Sequence, residues 1–93
     1  MKLKEIKIGQ VVIDRHGNEY TVDEVDKDES RDNIMPIRIT CTKFLKNAIV
    51  QQNDISFYKV GQSFWIFKSE KVAKHDHMYI EDCITVKSLK MKG

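Results

Sequence analysis

The chain has 93 residues, of which 41% are hydrophobic and 32% charged, and a chain this short buries only about two-thirds of its unfolded surface, so one domain and one core are expected over residues 1–93. The apolar share excludes a disordered chain, and no run approaches the roughly 18 consecutive apolar residues that span a bilayer. A net charge of +2 is too small to imply a nucleic-acid partner by itself, so the placement of charge carries the information.

The first residues, MKLKEIKIGQ, lack the uninterrupted apolar segment of a secretion signal, and a cytoplasmic location is expected. Gly9 then precedes QVVID, DRHGN interrupts the apolar pattern, and EYTV restores it. That is the signature of two antiparallel strands joined by a short turn. Gly17 and Asn18 tolerate positive φ at the reversal, and the Asp14 carboxylate can bind turn amides.

Alternation through Tyr20 and Val22 predicts an inward side chain at position 24, yet Glu24 stands there and Val25 follows. A β-bulge near Asp23–Glu24 resolves the conflict, because one extra residue reverses the facing of all that follow. Residues 23–32, DEVDKDESRD, hold six acids against Lys27 and Arg31. The segment 23–33 therefore reads as an acidic loop or a solvated strand extension.

Period two resumes in IMPIRITCT, with Ile37, Ile39 and Cys41 on one side and Arg38, Thr40 and Thr42 on the other. Pro36, without an amide hydrogen, belongs at the start of that strand or on an edge. Four-residue spacings from Phe44 to Ala48 and from Leu45 to Ile49, with Thr42 as N-cap, predict a short helix over 43–52, with an irregular extended loop as the alternative.

ISFYKVGQSFWIF places five of the eight aromatic residues within eleven positions. Apolar side chains at both parities in 64–67 predict a strand covered on both sides. KVAKH, HMYI and CITV read as further short strands, and residues 88–93 are expected to fray. The two cysteines, Cys41 and Cys83, are fewer than a small disulfide-stapled domain uses, and both read as reduced, buried side chains. The expected fold is mainly β: a small, strongly bent antiparallel sheet or a barrel, with one short inserted helix.

The four letters K-[IV]-G-Q occur twice, ending at Gln10 and at Gln62. Glycine permits a sharp bend into a strand where a Cβ would clash, so the repeat is read as architecture used twice and not as a duplicated binding site. Across residues 5–22, the pattern set by Gly9, Gly17 and their apolar flanks resembles the opening hairpin of small SH3-like β-barrels. The resemblance implies a scaffold used for binding proteins and nucleic acids more than for catalysis. In general character the compact, lysine-rich chain is also similar to small bacteriophage accessory proteins, which implies a modulator or inhibitor of a host protein.

Sites of chemistry are sparse. His75 and His77 would face the same side of a strand and could share a metal with Cys83, Glu81 or Asp82, but KHDH serves equally as a solvated turn, and no metal or cofactor is expected. A thiol nucleophile at Cys83 is outweighed by its reading as a strand side chain within DCITV. Glycines at 9, 17, 61 and 93 form no phosphate-binding loop, so a non-catalytic protein is expected.

Two binding classes remain. Asp28, Glu29 and Asp32, with Tyr58, Trp65 or Phe67 as aromatic anchors, would suit a protein partner. Lys43, Lys46, Lys59, Lys68, Lys71 and Lys74 would form a basic face for nucleic acid, the alternative reading. The simpler reading of each is a solvated charged surface over an aromatic core. Protein binding is preferred, and the oligomeric state is left open.

Overall fold

The computed structural model describes residues 1–28, 30, 33–44, 60–74 and 84–92. Strands β1 (Val11–Ile13), β2 (Glu19–Val25), β3 (Ile37–Lys43), β4 (Ser63–Ile66) and β5 (Lys90–Met91) form one antiparallel sheet in the order β4-β3-β2-β1-β5. The mainly β expectation holds, and the sheet is open: among the described residues no ladder joins β4 to β5.

The β1–β2 hairpin forms as its turn chemistry requires. Val12 pairs with Tyr20 and Val11 with Thr21, which buries Val12, Tyr20 and Val22 on one face. At the reversal Gly17 has φ +87°, a value that favours glycine. Asp14 holds the turn from inside. One carboxylate oxygen accepts the amides of His16 (2.8 Å) and Asn18 (3.0 Å), and the other accepts Asn18 Nδ2 (3.0 Å) and the Tyr20 hydroxyl (2.6 Å). Asp14, Asn18 and Tyr20 are all buried, and their hydrogen bonds to one another offset the cost of removing them from water.

The register of β2 against β3 shifts between Val22 and Glu24, the bulge that the misplaced acid predicts. Beyond it Glu24 opposes Arg38 and Val25 opposes Ile37. The acidic segment is thus a strand extension as far as Val25, and the chain leaves the sheet at Asp26, whose amide bonds the Pro36 carbonyl at 2.8 Å. Pro36 sits immediately before β3, where its missing N–H breaks no ladder bond.

Both K-[IV]-G-Q segments adopt one geometry. Gly9 donates to the Val22 carbonyl (2.8 Å) while Val22 donates to Gln10 (2.9 Å); Gly61 donates to Cys41 (2.7 Å) while Cys41 donates to Gln62 (3.0 Å). Gly9 and Gly61 have φ +89° and +92°. Two residues thus oppose one across the ladder with a glycine in left-handed conformation at the first, which is the glycine form of the β-bulge. The preceding Ile8 and Val60 are 69% and 63% exposed, so the repeat consists of two identical entries into the sheet.

Several expectations are corrected. Thr42 and Lys43 continue β3, so no helix is capped at Thr42, and the rest of the 43–52 helix, from residue 45, lies outside the described residues. The α-helix among the described residues is α1 (Glu70–Lys74), which takes in Lys71–Lys74 of the segment KVAKH read as a strand. Ser69 starts it, its Oγ accepting the Val72 amide (3.2 Å) and its carbonyl the Ala73 amide (3.0 Å). α1 turns Ala73 and Val72 onto Phe67 and Met35 in a small second cluster.

CITV does not form a strand at its described end: Thr85 makes a single parallel bridge to Phe67, and Val86–Ser88 is a 3-10 turn. Residues 88–93, expected to fray, contain buried Leu89 and strand β5 on β1. The Met1 ammonium donates to the carbonyls of Val86 (3.2 Å), Lys87 (3.2 Å) and Leu89 (2.9 Å), and so pins this segment from the other terminus. The main core gathers sheet residues such as Tyr20, Ile39, Phe64 and Ile66 under Ile6, Ile84, Val86 and Leu89. Tyr20 and Phe64 meet edge to face, with centroids 5.9 Å apart.

Candidate binding face

One face of the sheet is covered by the terminal segments, and the other points outward. Its side chains follow from strand parity: with Phe64 and Ile66 buried, Trp65 must face out, and it is 36% exposed. The expectation of a strand covered on both sides is corrected here. β4 alternates, and the second buried aromatic in the run, Phe67, lies beyond the end of the strand and packs on α1.

The register places Glu24, Arg38 and Trp65 side by side on β2, β3 and β4. The Arg38 guanidinium lies 3.8 Å from Asp23 Oδ2 through Nε and 3.7 Å from Glu24 Oε1 through Nη2. Those separations are ion-pair distances longer than a hydrogen bond, and Arg38 Nε has no hydrogen-bond partner. Thr40 donates to the Asp23 carboxylate and lies 2.7 Å from the Ser63 hydroxyl.

A groove of about 480 Å³ opens beside this row, lined by Glu24, Val25, Asp26, Asn33 and Trp65. Its far wall is held by side-chain bonds to backbone amides and by one bond between side chains. Asp26 accepts the Asp28 amide (3.0 Å) and Asn33 Nδ2 (2.9 Å), and Asn33 Oδ1 accepts the Met35 amide (2.9 Å). Local bonds of this kind shape a loop that has no ladder to shape it. Lys27 points elsewhere, its Nζ 3.2 Å from the Lys4 carbonyl.

Of the residues expected to contact a protein partner, Trp65 lies on this groove, and Asp28 is exposed on the adjoining loop, where its carboxylate accepts the amide (3.0 Å) and hydroxyl (2.6 Å) of Ser30. Glu29, Asp32 and Tyr58 lie outside the described residues. Sequence reasoning singled out neither Glu24, Asp26 and Asn33 nor Arg38 as site residues. The signal was present: once the bulge is admitted, the period of β3 sets Arg38 outward opposite Glu24.

Among the described lysines, Lys43 stands apart from Trp65. Lys43 ends β3 five residues from Arg38, about 16 Å along the strand, and faces Glu19 at 3.8 Å. Lys92 approaches the same carboxylate at 2.9 Å, and this hydrogen bond, aided by Lys43, lowers the Glu19 pKa below its ordinary value. Lys71 and Lys74 are exposed on α1, with Lys74 3.5 Å from Glu70, and Lys68 is half-buried. Lys46 and Lys59 lie outside the described residues. A second groove, of about 310 Å³, is lined by Arg15, Lys71 and Lys87 together with Glu70 and the hydroxyl residues Thr85 and Ser88.

The metal candidates His75, His77 and Cys83 lie outside the described residues, among which no three His, Cys, Asp or Glu side chains converge. Cys41 is a free, buried thiol whose pKa is raised by burial. No helix among the described residues is long and apolar enough to cross a membrane. Comparison with protein-family models, with curated proteins and with solved structures finds no match for this chain.

Proposed function

We propose that the chain is a non-catalytic, cytoplasmic protein-binding module that acts by occupying a partner's surface through its outward sheet face, in the manner of a phage-type modulator or inhibitor. The observation that carries this reading is Trp65, the only tryptophan of the sequence, 36% exposed at the rim of a groove and flanked by Glu24 and Arg38. A large aromatic ring left half in water beside charged groups is the composition of an interface anchor. The SH3-like resemblance supports the same class of role. The β1–β4 meander, with a 3-10 turn leading into a β5 that returns to β1, is compatible with that architecture.

The test is affinity capture with the full chain and with Trp65→Ala, followed by mass spectrometry. A partner retained by the first and lost by the second, at unchanged circular dichroism, is expected. Capture that ignores Trp65 overturns the reading.

The second groove favours an alternative, nucleic-acid binding by a basic surface in which Lys71 is joined by Arg15 and Lys87. That reading requires retention on DNA or RNA that falls steeply between about 50 and 200 mM salt.

A further inference from the structure

We propose that the Trp65 groove receives an arginine or lysine side chain from an extended, positively charged segment of a partner protein. The inference rests on the protein-binding reading and identifies what the face would hold. Each wall of the groove suits a different part of such a side chain. Trp65 lines the groove, and an indole ring attracts a guanidinium or ammonium to its face. Val25 offers apolar surface for the aliphatic stem. Glu24 and Asp26 supply carboxylates, and Asn33 an amide, for the charged head.

The balance of charge has the required sign. Among the described residues, Arg38 lies at ion-pair distance from both Asp23 and Glu24, Asp26 adds a further carboxylate to the lining, and Lys27 is drawn away to the Lys4 carbonyl. Arg38 already demonstrates the chemistry, since it lies beside Trp65 in the register with its guanidinium against Asp23 and Glu24. Its contact to Glu24, at 3.7 Å, is too long for a hydrogen bond, so Glu24 keeps its capacity to accept from an incoming donor. A volume of about 480 Å³ falls within the range of about 300–1,000 Å³ seen for binding pockets. An acidic segment would meet the same carboxylates with repulsion, which gives the face its selectivity.

Because Trp65 is the only tryptophan, its fluorescence and its indole N–H resonance report on this groove alone. The probes are three eight-residue peptides of one length: arginine alternating with serine, the same sequence with citrulline replacing arginine, and glutamate alternating with serine. The arginine peptide is expected to shift the Trp65 signals saturably, with affinity lowered about tenfold by Glu24→Gln, the loss of one charge-assisted contact, and left unchanged by Glu70→Gln on α1. The citrulline and glutamate peptides are expected to give no saturable shift.

Equal binding of arginine and citrulline peptides, or no response to either, overturns the proposal. So does a saturable Trp65 shift with an oligonucleotide in place of the arginine peptide. The two readings separate in the capture experiment. If Trp65→Ala abolishes capture while Glu24→Gln and added salt leave it intact, cation recognition falls and protein binding stands. If Trp65→Ala leaves capture intact, both fall.

Discussion

Carboxylates occupy opposite positions at the two ends of the β1–β2 hairpin. Asp14, 5% exposed, has its oxygens taken up by two amides, a side-chain amide and a phenol from its own turn and strand. Glu24, on the far side of the bulge, faces outward, with Arg38 at ion-pair distance and the Trp65 groove beside it. The same functional group is buried and structural where the chain itself supplies the donors, and stays exposed to solvent where it does not. Burial, not residue type, makes the difference, because an acid withdrawn from water must find its partners inside.

The largest expected effect breaks the buried end of that comparison. Asp14→Ala removes the carboxylate that accepts from the His16 and Asn18 amides, the Asn18 side chain and the Tyr20 hydroxyl, and should cost about 3 kcal/mol in urea denaturation. Trp65→Ala should cost about 2 kcal/mol, less than the roughly 3–5 expected of a buried ring. A loss in the buried range would mean that this face belongs to the core and is not available to a partner.

The two glycine bulges sharpen the picture. Gly9→Ala and Gly61→Ala introduce a Cβ into open space but require a left-handed conformation, so each should cost about 1–2 kcal/mol, and by similar amounts. Unequal costs would show that the two copies are not one device. Glu24→Gln should change stability by no more than about 0.5 kcal/mol, while still altering what the face binds.

Cys41 connects the buried end to pH. Burial, and secondarily the charge of Asp14, raise its pKa above 9.0. Its contribution is therefore fully present below pH 9.0 and is lost as pH rises from there through the folded value. In a Cys83→Ser background the thiol should resist alkylation at neutral pH until denaturant is added. Rapid labelling of the native protein would contradict its burial.

What could be read from the sequence was what is local. The hairpin was legible because Gly17, Asn18 and Asp14 carry turn chemistry within a few residues, and the bulge because Glu24 stood where alternation demanded an apolar side chain. The strand at Ile37 was legible from its clean period of two. α1 was not, because five residues make barely more than one turn, and its position is set by docking Val72 and Ala73 on Phe67. β5 was hidden for a related reason. KSLKMKG offers only Leu89 and Met91 as apolar side chains, and its place is secured by the β1 ladder and the distant Met1 ammonium.

The candidate site divides in the same way. Its acids and its tryptophan were visible as residues, but their meeting was not, since Glu24 and Trp65 are 41 positions apart in the chain and are brought together by two strand registers. By itself the sequence determined the mainly β fold, the hairpin, the bulge and the two glycine entries into the sheet, all of which follow from backbone sterics and side-chain period over short distances. Only the tertiary structure decided that Trp65 faces outward, that the sheet remains open and that the final residues close against β1. Those outcomes depend on which surfaces compete successfully for burial, and that competition is settled across the whole chain.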